Sequence, residues 1–216
     1  MYNFTLHIPT AIHFGKGAIS HLDELKNYGN KLLLVYGGGS IKKNGIYDTA
    51  VSILKKAGIS IFELSGVEPN PRIQTVRRGV DICKAEGIDM VLAIGGGSAI
   101  DCAKVIAAGA KYDGDAWELV LDSSKIKAAL PIFVVLTLSA TGTEMDPFAV
   151  ISDLTKNEKW GTGSPFMVPT MSVLDPEYTY SVAKKQTAAG TADMMSHTME
   201  NYFTMENADC QKFMAE

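Results

Sequence analysis

Cysteine is scarce in this chain of 216 residues: Cys83, Cys102 and Cys210 lie far apart and form no CxxC pair. That pattern excludes a disulfide frame and a zinc knuckle, and it fits reduced thiols in a cytoplasmic protein. Positive charge is not in excess either. A net charge of −4 and a pI near 5.6 disfavour nucleic acid or an anionic membrane as partner. Long apolar runs are missing: the longest, AALPIFVVLTLSA, holds a proline and is too short to span a bilayer. The opening MYNFTLHIPTAIHFGKG has neither the basic stretch nor the apolar core of a signal peptide. A G-x-G-x-x-G fingerprint is also lacking, so an ordinary Rossmann reading has no direct support.

What is present is an alternation. KLLLVY (31–36), ISIFELSGV (59–67), DMVLAI (89–94) and PIFVVLTL (131–138) are compact apolar runs of strand length. Between them lie stretches of helical periodicity, with apolar positions 47, 50, 51, 54 and 57, then 73, 76, 80 and 83, closed by Gly58 and Gly87. Continuous apolar strands joined by helices predict an α/β fold, a parallel sheet with helices on both faces. Residues 111–130, more polar and carrying Trp117, read as a surface excursion, and 148–180 as loops with minor strands. From Gln186 the pattern is helical to the last residue. The expected division is an α/β domain over 1–185 and the first helix or helices of an all-helical domain over 186–216.

The strand–GGGS–helix unit occurs twice, at Gly37, Gly38, Gly39, Ser40 and at Gly95, Gly96, Gly97, Ser98. Bare glycines before a helix start let a phosphate approach unpaired N–H groups and the positive end of the helix dipole. Ser98 and Asp101 have the spacing of a capping box. A plain βα turn is the better account of one such loop taken alone; two, at the same edge of a parallel sheet, point to a dinucleotide. TLSATGTEMD (137–146) adds hydroxyls at that edge, either for phosphate or ribose or for its own backbone. Asp193 and His197 stand at i and i+4 on one helix face, a spacing that serves a divalent cation or a simple solvated pair. The methionines beside them read as core packing. His7, His13 and His21 have no nameable partner and read as plain surface residues.

Taken together, PTAIHFGKGAI, GGGS at 37, EPNP at 68, AIGGGSAIDCAK, TLSATGTEMD, VLDPEYTYSV and AAGTADMMSHTMENYF resemble the iron-containing (group III) alcohol dehydrogenase family, in its butanol dehydrogenase and aldehyde reductase branch. The resemblance implies a Rossmann-like, dehydroquinate synthase-like nucleotide domain and a helical metal-binding domain with the active site between them. It implies Fe²⁺ or Zn²⁺ held by one aspartate and three histidines, of which Asp193 and His197 match the first two. It implies a nicotinamide cofactor at Gly37 to Ser40, Asn70, Gly95 to Ser98, Asp101, Thr137, Thr141 and Lys159. Hydride transfer between the cofactor and a small alcohol or aldehyde would follow, in a homodimeric full-length form. NADP(H) is expected over NAD(H), because Gly39 stands where a selecting carboxylate would be and Lys42 and Lys43 follow. Members of the family are nearly twice as long, and the chain stops inside a helical pattern, so the two further histidines are expected beyond Glu216. The alternatives are a nucleotide-binding fragment without turnover and a dehydroquinate synthase-type lyase.

Overall fold

The apolar runs become parallel strands. The computed structural model describes residues 7–203, so Cys210 and the end of the helical stretch lie outside the described residues. The chain divides into two compact units, Pro9–Tyr180 and residues 1–8 with 181–216.

The larger unit begins with β1 (Ala11–Phe14) and a 3-10 helix over Ala18–Asn27. β2 (Lys31–Tyr36) leads through α1 (Ser40–Lys43) and α2 (Ile46–Lys56) to β3 (Ser60–Leu64). Then come α3 (Ile73–Glu86), β4 (Met90–Gly95), α4 (Gly97–Gly109), α5 (Ala116–Leu121) and β5 (Ile132–Leu136). An antiparallel hairpin, β6 (Phe148–Asp153) and β7 (Glu158–Gly163), precedes β8 (Met171–Leu174).

Six strands form one parallel sheet in the order β1-β8-β5-β4-β2-β3. Alternation along β2 sends Leu32, Leu34 and Tyr36 to one side and Leu33 and Val35 to the other. The first side packs against α2 and the 3-10 helix through Ala50, Leu54, Leu22 and Leu25. The second packs against α3, α4 and α5 through Val76, Ile100, Ile106 and Trp117. Both faces are therefore apolar, which is why the strands read as continuous hydrophobic runs. Burying each such side chain stabilises the fold by roughly 1.5–3 kcal/mol.

Two expectations need correction. Residues 111–130 are not a surface excursion: α5 buries Ala116, Trp117, Leu119 and Val120 against the core. Its buried side is carried by a few residues spaced among charges, so composition hides it. Asp115 caps this helix by accepting from the Trp117 N–H at 2.9 Å, and it pairs with Arg77. The region 148–180 holds more than minor strands, since β8 is an interior strand between β1 and β5. MSVL is too short to show a period, and Ser172, fully buried, is satisfied by donating to the Glu144 carbonyl at 2.6 Å.

The smaller unit's described part is dominated by α6 (Lys184–Tyr202). Met194, Met195 and Met199 are 62%, 60% and 50% exposed, so within this chain they are not the core packing that their spacing suggested. No described helix is long and apolar enough to cross a membrane.

Candidate functional site

Strand order selects one place on the sheet. From β2 the chain moves outward to β3, then returns across β2 to form β4 on its other side. The ends of β2 and β4 thus straddle a topological switch point, where parallel α/β sheets leave a crevice for ligands. The two GGGS segments are those two ends.

The second segment opens α4, a helix of 13 residues with Gly96 as its N-cap and no capping side chain. Ala99 and Ile100 donate back to the Gly96 carbonyl, which leaves the first turn's leading N–H groups facing outward. The expected Ser98–Asp101 capping box is absent. The helix starts two residues earlier than that motif requires, with Gly96 as its N-cap, so Ser98 lies inside the first turn. Its hydroxyl instead accepts from the Asn70 N–H at 3.3 Å. Asn70 has a left-handed backbone (φ 55°), and its side-chain oxygen accepts from Lys159 Nζ at 2.8 Å. Asn70, Ser98 and Lys159, 89 residues apart at the extremes, are therefore brought together. The EPNP loop reaches the hairpin because Ser152 N donates to the Pro71 carbonyl.

The three glycines are held by crowding. A Cβ on Gly95 would stand 2.9 Å from Ala99 Cβ, one on Gly96 3.2 Å from Leu138 Cβ, and one on Gly97 3.3 Å from Thr141 Oγ1. Thr137 N donates to the Gly95 carbonyl, so the threonine loop runs alongside the second glycine segment. The first segment differs. Gly39 has φ 102°, and a Cβ on Gly38 or Gly39 would meet nothing within 4 Å. Gly37 accepts from Gly66 N, which ties this loop to the one after β3. Ser40 is exposed at the start of α1.

Asp101 faces the hairpin and the threonine loop: its carboxylate accepts from Val150 N at 3.0 Å and from the Thr143 hydroxyl at 2.7 Å. Beside it lies a residue whose role the sequence reading left unassigned. Lys104 is completely buried, and its ammonium donates to Thr143 Oγ1, Asp146 Oδ1 and the carbonyls of Asp146 and Phe148, all within 2.9 Å. Burial pushes Asp101 above and Lys104 below their ordinary pKa values. The signal was available as a single lysine in the otherwise apolar helix GSAIDCAKVIAAG, three residues after an aspartate.

A nicotinamide dinucleotide fits this arrangement: a long helix with a bare N-terminus for pyrophosphate, glycines that keep side chains away, and Ser98, Asn70, Lys159, Thr137 and Thr141 around it. In the other unit, α6 places His197 Nε2 3.8 Å from Asp193 Oδ1, with both side chains more than half exposed. One imidazole and one carboxylate suit Fe²⁺ or Zn²⁺ as two of its ligands.

Comparison with known proteins agrees with this geometry. The family described as iron-containing alcohol dehydrogenase matches residues 9–176. NADH-dependent butanol dehydrogenase A of Clostridium acetobutylicum is 60% identical over the whole chain, and the NADPH-dependent aldehyde reductase YqhD of Escherichia coli is 43% identical over 94% of it. The chain spans 56% and 53% of the lengths of those two proteins. The crystal structure of NADH-dependent butanol dehydrogenase A from Thermotoga maritima superimposes with a TM-score of 0.90 at 49% identity, covering 94% of this chain and 52% of that one. With a family match over most of its length and the same fold, the chain belongs to the iron-containing alcohol dehydrogenase family.

Proposed function

We propose that this protein works in a nicotinamide-dependent oxidoreductase that interconverts a small primary alcohol, such as butanol, and its aldehyde. The observation that carries the reading is the uncapped α4 N-terminus with its three crowded glycines at the switch point between β2 and β4. Its backbone N–H groups bind and orient the cofactor pyrophosphate, while Ser98, Asn70 and Lys159 fix the loop beside it. Asp193 and His197 would hold Fe²⁺ or Zn²⁺. Such a cation supplies Lewis-acid stabilisation of the substrate oxygen, and the hydride chemistry belongs to the nicotinamide.

The cofactor is proposed to be NADP(H) in preference to NAD(H). Relatives are named for both, so the names do not choose, and the first glycine segment supports the choice. It offers no carboxylate, its open face surrounds Gly38 and Gly39, and Lys42 and Lys43 follow. Glu63, 3.9 Å from Lys42 Nζ, already accepts from the Tyr36 and Tyr47 hydroxyls. A cytoplasmic setting is supported by the buried free thiols of Cys83 and Cys102. Burial pushes the Cys83 thiol up to about 12, so it is unreactive. A homodimer is supported by the edge strand β1, whose Phe14 is 73% exposed.

Binding without turnover by this chain alone is the second reading. It is favoured by the exposure of Asp193 and His197 and by the absence, among the described residues, of a third ligand grouped with them. Fluorescence titration with NADPH and NADH, followed by butanal reduction with Fe²⁺, tests both. NADPH is expected to bind more tightly than NADH and to bind equally well to Asp193→Ala and His197→Ala. Equal affinity for the two cofactors overturns the preference. Turnover that is lost in those two variants overturns the non-catalytic reading.

A further inference from the structure

His13 and His21 have no apparent partners in the sequence, and the fold gives them each other. His13 pairs in register with Val173 across the β1–β8 ladder, and Val173 faces the core on the side of the 3-10 helix. Paired residues of a ladder share a face, so His13 is directed towards that helix. Its imidazole stacks on that of His21 with ring centroids 3.7 Å apart and planes within 21°. His21 Nδ1 lies 2.6 Å from Glu24 Oε1. Three residues per turn in a 3-10 helix eclipse positions i and i+3, which brings His21 and Glu24 into line.

The frame is fixed independently of any ligand. Gly15 N donates to the Leu174 carbonyl and Gly17 N to the Asp175 carboxylate at 2.8 Å, which sets the turn between strand and helix. Ile19, Leu22 and Leu25 anchor the helix in the core. Lys16, three residues after His13, is held by Glu177 at 2.8 Å. The hydrogen bond from His21 holds the Glu24 carboxyl below its ordinary range, so it is anionic at neutral pH.

We propose that His13, His21 and Glu24 form a binding site for a divalent late transition cation, Zn²⁺ in the first instance, with no residue in common with the Asp193–His197 pair. One donor atom from each side chain lies within 4.8 Å of the other two, from two separate elements of the fold. Two imidazole nitrogens and a carboxylate oxygen are three of the four ligands of tetrahedral zinc, at about 2.0–2.2 Å each, and water completes the set. To close on one ion the two rings turn out of their stacked arrangement, so that a nitrogen of each points at the metal in its ring plane. The rings border an open depression of about 440 Å³, which admits the ion and its water. A bound ion would tie the edge strand to the helix.

The test is calorimetric titration of ZnCl₂ into the full chain, stripped with chelator and carrying Asp193→Ala and His197→Ala. One equivalent of Zn²⁺ is expected to bind. Affinity should fall at least tenfold in His13→Asn and in His21→Asn, and also weaken in Glu24→Gln. Zn²⁺ should raise the Tm of the parent but not that of the double histidine variant, whose own melting transition shows that it is folded. Undiminished affinity in either histidine variant overturns the two-element site, as does the lack of any binding in the parent.

Discussion

The two GGGS segments have identical sequences and equivalent positions after an apolar parallel strand, but they use their glycines for different physical reasons. At Gly37 to Ser40 the requirement is conformational: Gly39 has φ 102° with open space around it, and the helix that follows has four residues. At Gly95 to Ser98 it is steric. None of the three has a positive φ, each would bring a Cβ to within 3.3 Å of a neighbour, and the helix that follows has 13 residues. A repeated motif is therefore not a repeated site. The first loop is shaped by its own backbone, and the second by what packs around it.

The sharpest way to break that contrast is to remove the packing support of the second loop. Beside the two hydrogen bonds that Asp101 accepts, Lys104 ties α4 to the threonine loop and to β6 by donating to four acceptors. Lys104→Met leaves those acceptors and the Asp146 carboxylate without their cation. Removing one partner of a buried ion pair costs about 3 kcal/mol or more. Asp146 is partly exposed, so the lower end applies. Urea unfolding should show this loss, with cofactor affinity falling as well. A loss below about 0.5 kcal/mol would mean the second loop stands unaided, as the first does.

Substitution of a glycine itself comes next. Gly97→Val places a branched side chain against Thr141 and Thr143 at the mouth of the α4 N-terminus. The positive-φ strain that a glycine loop suggests does not apply here, because Gly97 is helical. Overpacking costs roughly 1–3 kcal/mol, so the chain should remain folded while NADPH affinity falls about a hundredfold. Retained affinity would return the segment to a plain βα turn.

Much of this was legible beforehand, and the rest failed for identifiable reasons. Strands β2, β4 and β5 are buried on both faces, so their residues announce them. The glycine segments and the hydroxyls after β5 stand where a parallel sheet must put them. β8 and α5 were hidden because each buries only a few residues, and their neighbours decide that they do. Ser98 follows the capping rule in sequence but bonds Asn70 instead, a partner 28 residues away. The join of Asn70 to Lys159, like that of His13 to His21, depends on strand order and register, which no local pattern encodes.

Gly39→Asp probes the open loop with a smaller expected effect. The position already has a left-handed backbone, which aspartate tolerates better than most residues, at a strain of roughly 1 kcal/mol. A carboxylate ~4 Å from a 2′-phosphate costs roughly 1 kcal/mol in water and about 4 at an effective dielectric of 20. The ratio of NADPH to NADH affinity should fall by between several-fold and several-hundred-fold, with stability little changed. An unchanged ratio would remove the first loop from cofactor selection.

The smallest effect separates the two loops by the sign of their response to acid. Beside the second loop, burial holds the Asp101 carboxyl above its ordinary 3.8, against the Val150 and Thr143 hydrogen bonds and the charge of Lys104. A raised folded pKa gives a contribution fully present below 3.8 and lost as pH climbs through the folded value. Beside the first loop, burial pushes Glu63 up, yet the Tyr36 and Tyr47 hydroxyls and the Lys42 ammonium bring it below its ordinary 4.5. Its contribution is present above 4.5 and lost as pH falls through the folded value. On acidification from about pH 5 to about pH 3 the two terms therefore oppose each other. Asp101→Asn removes the offsetting term and should steepen the loss of stability across that window, whereas Glu63→Gln should make it shallower. Tm measured at intervals across the window reads both slopes. If the two variants shift the slope in the same direction, the loops do not differ electrostatically, and their contrast is one of packing and backbone alone.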